Sequence, residues 1–161
     1  MSHPYKTVFV SATATSIVCL MVKTIMTMLI NKPIIFSVFE FDIIKNKGLF
    51  LGLWNDNHMV VKIIMVALFL LFSFMLFKTS KAYPKISCVY VLAPWLLFAG
   101  LTGNMVEMLL NGSVTDYVAI RQPWVNIFFF NIEDCLIQAG AILFAYQSIF
   151  HNSTIEKIYT L

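Results

Sequence analysis

The chain has 161 residues, 60% of them hydrophobic and only 12% charged, with a mean hydropathy of +0.83 and a formal net charge of +3. Soluble domains carry about a quarter charged residues, so this composition excludes an ordinary soluble domain. The chain has no run of basic residues of the kind that tracks phosphates, which argues against a nucleic-acid partner.

A long apolar stretch over about 8–30 predicts the first membrane span. It carries Lys23 and no small-x-small cleavage site follows it, so it is read as retained rather than removed as a signal peptide. The 31–58 segment is long for a simple loop. Phe39-Glu40-Phe41-Asp42-Ile43 alternates apolar and polar as a strand does, Lys45-Asn46-Lys47-Gly48 reads as a turn, and Leu49 to Trp54 is a second apolar run. Together they predict a small β hairpin or sheet on the outer membrane surface, with aromatic residues at the interface. The second span is expected at 59–77. The short loop after it holds Lys78, Lys81 and Lys85 and points to the cytoplasm; set against Lys32, Lys45, Lys47 and Arg121 on the other side, the basic count favours both termini inside by a narrow margin. The third span is expected at 86–110, kinked at Pro94, and the fourth at about 125–150. The predicted fold is therefore an all-α membrane protein: a single domain of four transmembrane helices with an extracytoplasmic β cradle at 31–58. Cys19, Cys88 and Cys135 lie in apolar stretches as small filler, without metal-ligand spacing or a disulfide framework. His3, His58 and His151 lie at span ends or outside spans and form no ligand set with the carboxylates, so no metal is expected.

With that topology the polar residues of the spans converge on one depth. Lys23 falls in the outer half of span 1. Asn104 and Glu107 fall near the outer end of span 3, with Asp116 just beyond. Asn131, Glu133, Asp134 and Gln138 fall at the outer start of span 4. Ionisable groups within spans are costly, so each asks for a reason. Asn104 and Glu107 are three apart and share a helix face, as do Asn131 and Asp134. Asp116 and Asp134 bracket a short connection and can approach across it. Two carboxylates in a poorly hydrated site do not both ionise readily. One keeps its proton while the other acts as a base, which is the minimum equipment of an aspartyl protease. The alternative is polar glue between helices. Lys23 either belongs to the site or snorkels to the headgroups. Lys62 is read as a snorkelling lysine, and Glu133 as facing water at the interface.

Four motifs in order also resemble a known family. Asn46-Lys-Gly48-Leu-Phe-Leu51-Gly52, Gly103-Asn104-Met-Val-Glu107-Met108, Gly112-Ser-Val114-Thr-Asp116-Tyr and Phe130-Asn131-Ile-Glu-Asp134 are similar to the boxes of the lipoprotein signal peptidases (signal peptidase II), and Lys23 corresponds to that family's first-span lysine. The resemblance covers essentially the whole chain. It implies that Asp116 and Asp134 are the catalytic dyad, that Asn104 and Asn131 hydrogen-bond around it, and that Asn46, Gly48 and the rest of 31–58 form a cradle over the site. It also implies a diacylglyceryl-modified prolipoprotein as substrate, cleaved before the lipidated cysteine. No cofactor is implied. The setting is the bacterial inner membrane and its lipid, with the site near the outer face; a monomer is expected.

This chain departs from that pattern at three points. The aspartate usual four residues before the lysine is Cys19, the box phenylalanine is Leu51, and the usual Asp-Arg pair is Glu107-Met108. Methionine supplies neither the charge nor the fork of donors of arginine. Lys23 is then the expected counter-charge for Glu107. These departures motivate a second reading, a silent or substrate-shifted relative that binds lipidated peptides. A third, from a different class, is a small ion or proton transporter built on paired carboxylates.

Overall fold

The structure is a computed structural model that describes residues 4–48, 57–82, 89–121 and 128–150. Its frame is a bundle of α1 (Pro4–Leu29), α2 (His58–Ala82), α3 (Val89–Asn111) and α4 (Ile132–Phe150). Three of these, α1, α2 and α3, are long and apolar enough to cross a membrane. The 19-residue α4 is shorter and opens on Glu133 and Asp134. Apolar side chains cover the outside: Val10, Met28, Met59, Leu70, Ile142 and Ile149 are each over 60% exposed. Lipid accepts such a surface, whereas in water it is an aggregation hazard.

The central helix is α3, which packs on the other three. Its apolar stretch is 67% buried, against 22% for α1 and α2. Small residues bring α4 close to it. A Cβ on Gly100 would lie 2.5 Å from the Glu133 carbonyl oxygen, and one on Gly140 would lie 2.9 Å from Leu97 Cγ. Ser16 Oγ donates to the Ala99 carbonyl at 2.8 Å and ties α1 to the same helix. Asn111 ends α3, and Gly112 follows at φ 70°, its N–H donating to the Met108 carbonyl at 3.0 Å. This left-handed turn suits glycine and redirects the chain into a strand.

The described residues also form six short strands: β1 (Ile34–Phe36), β2 (Phe39–Phe41), β3 (Ile44–Asn46), β4 (Val114–Asp116), β5 (Val118–Ile120) and β6 (Phe129–Phe130). They form two antiparallel sheets, ordered β1-β2-β5-β6 and β3-β4. The expected hairpin exists in β1 and β2, but its further partners come from the chain after α3. Lys45 and Asn46 lie in β3 and not in a turn, because β4 offers that backbone a ladder. Phe129 and Phe130 also form a strand, paired with β5, where the fourth span was expected to have begun. Helix α4 starts only after Asn131. The α2 helix runs past Phe77 to Ala82, with Lys78 and Lys81 lying over the rings of Phe74 and Phe77. Lys62 is half-buried. The Leu49–Trp54 run, Lys85, Cys88, His3 and His151 fall outside the described residues.

Candidate active site

Strand β4 aims successive side chains to opposite sides, Thr115 one way and Asp116 the other. The antiparallel register sets Ile44 opposite Asp116 and Asn46 opposite Val114, so Asn46 is the diagonal neighbour of Asp116. Asn46 Nδ2 donates to Asp116 Oδ2 at 3.1 Å, and its Oδ1 accepts from the Gly48 N–H at 2.9 Å. That second bond fixes which end of the amide faces the carboxylate.

Asn131 precedes α4 as its N-cap. Its Oδ1 accepts from the Asp134 N–H at 2.9 Å, while its own N–H donates to Asp134 Oδ2 at 3.1 Å. This is a reciprocal cap, which satisfies helix-end donors and locks the Asp134 rotamer. The spacing of three had suggested a shared helix face; the residues instead meet across the helix start. Asn131 Nδ2 reaches on to Asp116 Oδ1 at 2.6 Å. One side chain therefore joins both aspartates. Asp134 Oδ1 accepts a further bond from Asn104 Nδ2 at 2.8 Å. Tyr117 is buried, and its hydroxyl accepts from the Ile132 N–H at 3.2 Å; burial pushes its pKa up to about 12.

Asp116 and Asp134 line one cavity of about 220 Å³. Asn46, Gly48 and Asn104 complete its polar rim, and Met65, Leu68 and Phe72 of α2, Leu101 of α3 and Ile137 of α4 make apolar walls. Asp116 is 3% exposed. Burial first, and then the charge of Asp134, raise its pKa to about 7, against the pull of the Asn46 and Asn131 amides. A carboxyl that exchanges its proton near neutrality, beside a second carboxyl and an apolar pocket, is equipped for acid–base work.

A second polar group lies behind the first. Lys23 Nζ stands 3.0 Å from Glu107 Oε2, 3.1 Å from Glu133 Oε1 and 3.0 Å from Asn104 Oδ1, all in the interior. Lys23 thus does not snorkel. Glu133, expected to face water, is 0% exposed, because the first turn of α4 is turned against α3 at Gly100 and Gly103. Glu107 also accepts from the N–H of Thr115 at 3.0 Å and from its hydroxyl, and half-exposed Lys45 approaches it from β3 at 3.7 Å. Lys45, Thr115 and Glu133 were not singled out from the sequence as site residues. The β-branched alternation Val114-Thr-Asp-Tyr-Val118-Ala-Ile120 was a readable strand signal for Thr115. No local pattern marks Lys45 or Glu133.

The profile of the Signal peptidase (SPase) II family matches residues 8–150, nearly the entire chain. The chain belongs to the signal peptidase II family. The lipoprotein signal peptidase of Fusobacterium nucleatum is 31% identical over 120 residues, covering 74% of this chain and 70% of the relative. That of Clostridioides difficile is 27% identical over 123 residues, covering 75% and 77%. A bacterial membrane enzyme solved by the in meso method at 2.3 Å shares the fold at TM-score 0.74 and 24% identity, over 92% of this chain and 91% of that one. A second, solved at 1.9 Å, does so at TM-score 0.72 and 21% identity, over 91% and 94%. Membership of this peptidase family, together with the apolar helices, places the chain in the bacterial inner membrane. The three signal peptidase II departures occupy different places. Cys19 is buried one helical turn before Lys23, and Met108 is wholly buried in an apolar cluster with Val61, Met65, Leu101 and Val114. Leu51 lies outside the described residues.

Proposed function

We propose that this chain is an intramembrane aspartyl endopeptidase that removes the signal peptide of diacylglyceryl-modified prolipoproteins by cutting before the lipidated cysteine, with Asp116 and Asp134 as its catalytic pair. The observation that carries the reading is Asn131, whose side-chain amide donates to the Asp116 carboxylate and whose backbone N–H donates to that of Asp134, the two carboxylates lining one apolar cavity. The ionised member of the pair takes a proton from water as it attacks the scissile carbonyl. The protonated member gives its proton to the leaving amide nitrogen. The roles belong to the pair, which titrates as a unit. Asn46 and Asn104 hold the outer carboxylate oxygens, and the α2 wall offers apolar surface to the lipidated substrate.

The same reading makes α4 a fourth span of a single monomeric domain embedded in lipid. The sheets then lie on the outer face near the site and both termini are cytoplasmic, in keeping with Lys78 and Lys81 at the far end of α2. The reaction as drawn uses no cofactor.

The test is cleavage of a diacylglyceryl-modified prolipoprotein by the purified protein in detergent, beside folded Asp116→Asn and Asp134→Asn variants. Cleavage by the parent and by neither variant is expected. A parent that binds the lipopeptide without ever releasing a product would sink the catalytic reading in favour of a silent or substrate-shifted relative.

A further inference from the structure

We infer that Glu133 is a positioning residue of the peptidase site: from α4 it holds the Lys23 ammonium that orients Asn104, and through Asn104 it sets the carboxylate of its own neighbour, Asp134. The inference rests on the peptidase reading for its kinetic consequences, though not for its geometry.

Glu133 is 0% exposed. Among the described residues neither of its carboxylate oxygens accepts a hydrogen bond, and its ionic contact is Lys23 Nζ at 3.1 Å. A buried carboxylate with so little support is costly, and its removal from water is offset only by the ammonium beside it. Room for it is built in. A Cβ on Gly103 would stand 3.0 Å from Glu133 Oε1 and 3.1 Å from its Cγ, so the helix facing it has no side chain there.

Lys23 lies between carboxylates from two helices, Glu107 of α3 and Glu133 of α4, and its third close partner is Asn104 Oδ1 at 3.0 Å. That contact decides the amide orientation. With Oδ1 held by the ammonium, Nδ2 faces Asp134 Oδ1 at 2.8 Å and donates to it. Turned over, the amide would present an oxygen to a carboxylate oxygen, which repels. Glu107 alone pulls Lys23 towards Thr115 and β4, since it is already engaged with the Thr115 backbone and hydroxyl. Glu133 supplies the opposing pull from the α4 side. The ammonium therefore stays within reach of Asn104, and the two arms of the site, β4 with Asp116 and α4 with Asp134, are set from one charge.

The arrangement also names its own rescue. Cys19 is buried one turn before Lys23 on α1 and lies within electrostatic reach of both Lys23 and Glu133. A carboxylate placed there by Cys19→Asp would face the same ammonium from α1 in place of α4.

The experiment compares the parent with Glu133→Gln, Glu133→Ala and the double variant Glu133→Ala/Cys19→Asp. It reads kcat and KM on a diacylglyceryl-modified prolipoprotein together with the side-chain amide resonances of Asn104 in 15N-labelled protein. Glu133→Gln and Glu133→Ala are expected to lower kcat about tenfold with KM little changed, as a sub-ångström misplacement of a reacting group does. They should shift the Asn104 amide resonances, and the double variant should restore both. Unchanged kcat and resonances in Glu133→Ala would overturn the proposal, as would a loss that Cys19→Asp leaves unrepaired. If Glu133→Ala does not fold, the near-isosteric Glu133→Gln decides by the same two readouts. If the parent itself cleaves nothing, the peptidase reading falls, and the Asn104 resonances alone uphold or overturn the positioning role.

Discussion

Two pairs of carboxylates sit in the same layer of this bundle, and they differ in what faces them. Asp116 and Asp134 are held by neutral amides of Asn46, Asn104 and Asn131 and open onto a cavity. Glu107 and Glu133 are held by the ammonium of Lys23 and do not line that cavity. Neutral donors fix the position of a carboxylate while leaving its charge free to change. A buried ammonium ties a carboxylate into an ion pair away from the cavity. On the proposed reading the same chemical group serves once for reaction and once for construction, and Asn104 links the two sets by bonding both Asp134 and the ammonium of Lys23.

The largest expected effect separates the pairs directly. Asp116→Asn and Asp134→Asn should each lower kcat by about 10³-fold or more with the fold retained, because each removes an acid–base group. The same isosteric exchange at Glu107 should act mainly on stability. If Glu107→Gln lost as much kcat at unchanged thermal stability, the division between the pairs would fail. Next in size, Lys23→Met leaves buried Glu133 without its ammonium partner and Glu107 with only half-exposed Lys45, and denaturant titration in detergent should show a loss of about 3–5 kcal/mol. A loss under about 1 kcal/mol, the range of exposed pairs, would place the cluster in contact with water.

Asn131→Ala removes the side chain that caps α4 and holds Asp116. Loss of the cap should cost about 1 kcal/mol of stability. Loss of the tie between the aspartates should lower kcat by about 10²-fold, a far larger change than the stability alone explains. Asn131→Ser, which keeps a capping oxygen but loses the amide that donates to Asp116, should recover the stability and not the rate.

The smallest effect is the pH dependence. The pair works with one proton, so the rate should fall as pH rises above about 7, the pKa to which Asp116 is raised, by up to about tenfold per unit. Stability follows the same group. Its folded pKa lies above the ordinary 3.8, so the native state binds the proton more tightly. That contribution is fully present below about 3.8 and is lost as pH rises through about 7. In Asp116→Asn this part of the pH dependence should disappear, measured as midpoint of thermal unfolding against pH. Glu107→Gln should leave it in place.

The helices and the catalytic candidates were legible from local signals. Long apolar runs make spans, a carboxylate such as Asp134 at the start of an apolar helix stands out by its cost, and the Gly112 and Asn131 boxes mark where helices stop and start. The sheets were legible only in part. Phe39 to Ile43 shows the alternation of a strand, whereas Lys45 and Asn46 look like a turn until a partner strand 70 residues later in the chain supplies their hydrogen bonds. Glu133 misled for the same kind of reason. A glutamate beside a membrane interface ordinarily faces water, and nothing near it in sequence reports that Gly100 and Gly103 of another helix leave it a dry pocket beside Lys23.

Local signals in the chain set the medium, the helices and the candidates for the reacting groups, because hydropathy, helix-stop residues and the expense of a charge in lipid act locally. The tertiary structure alone decided which carboxylates face a cavity and which face an ammonium. That depends on the rotation of α4 against α3 and on the pairing of β3 with β4, and both are settled by packing between segments far apart in the chain.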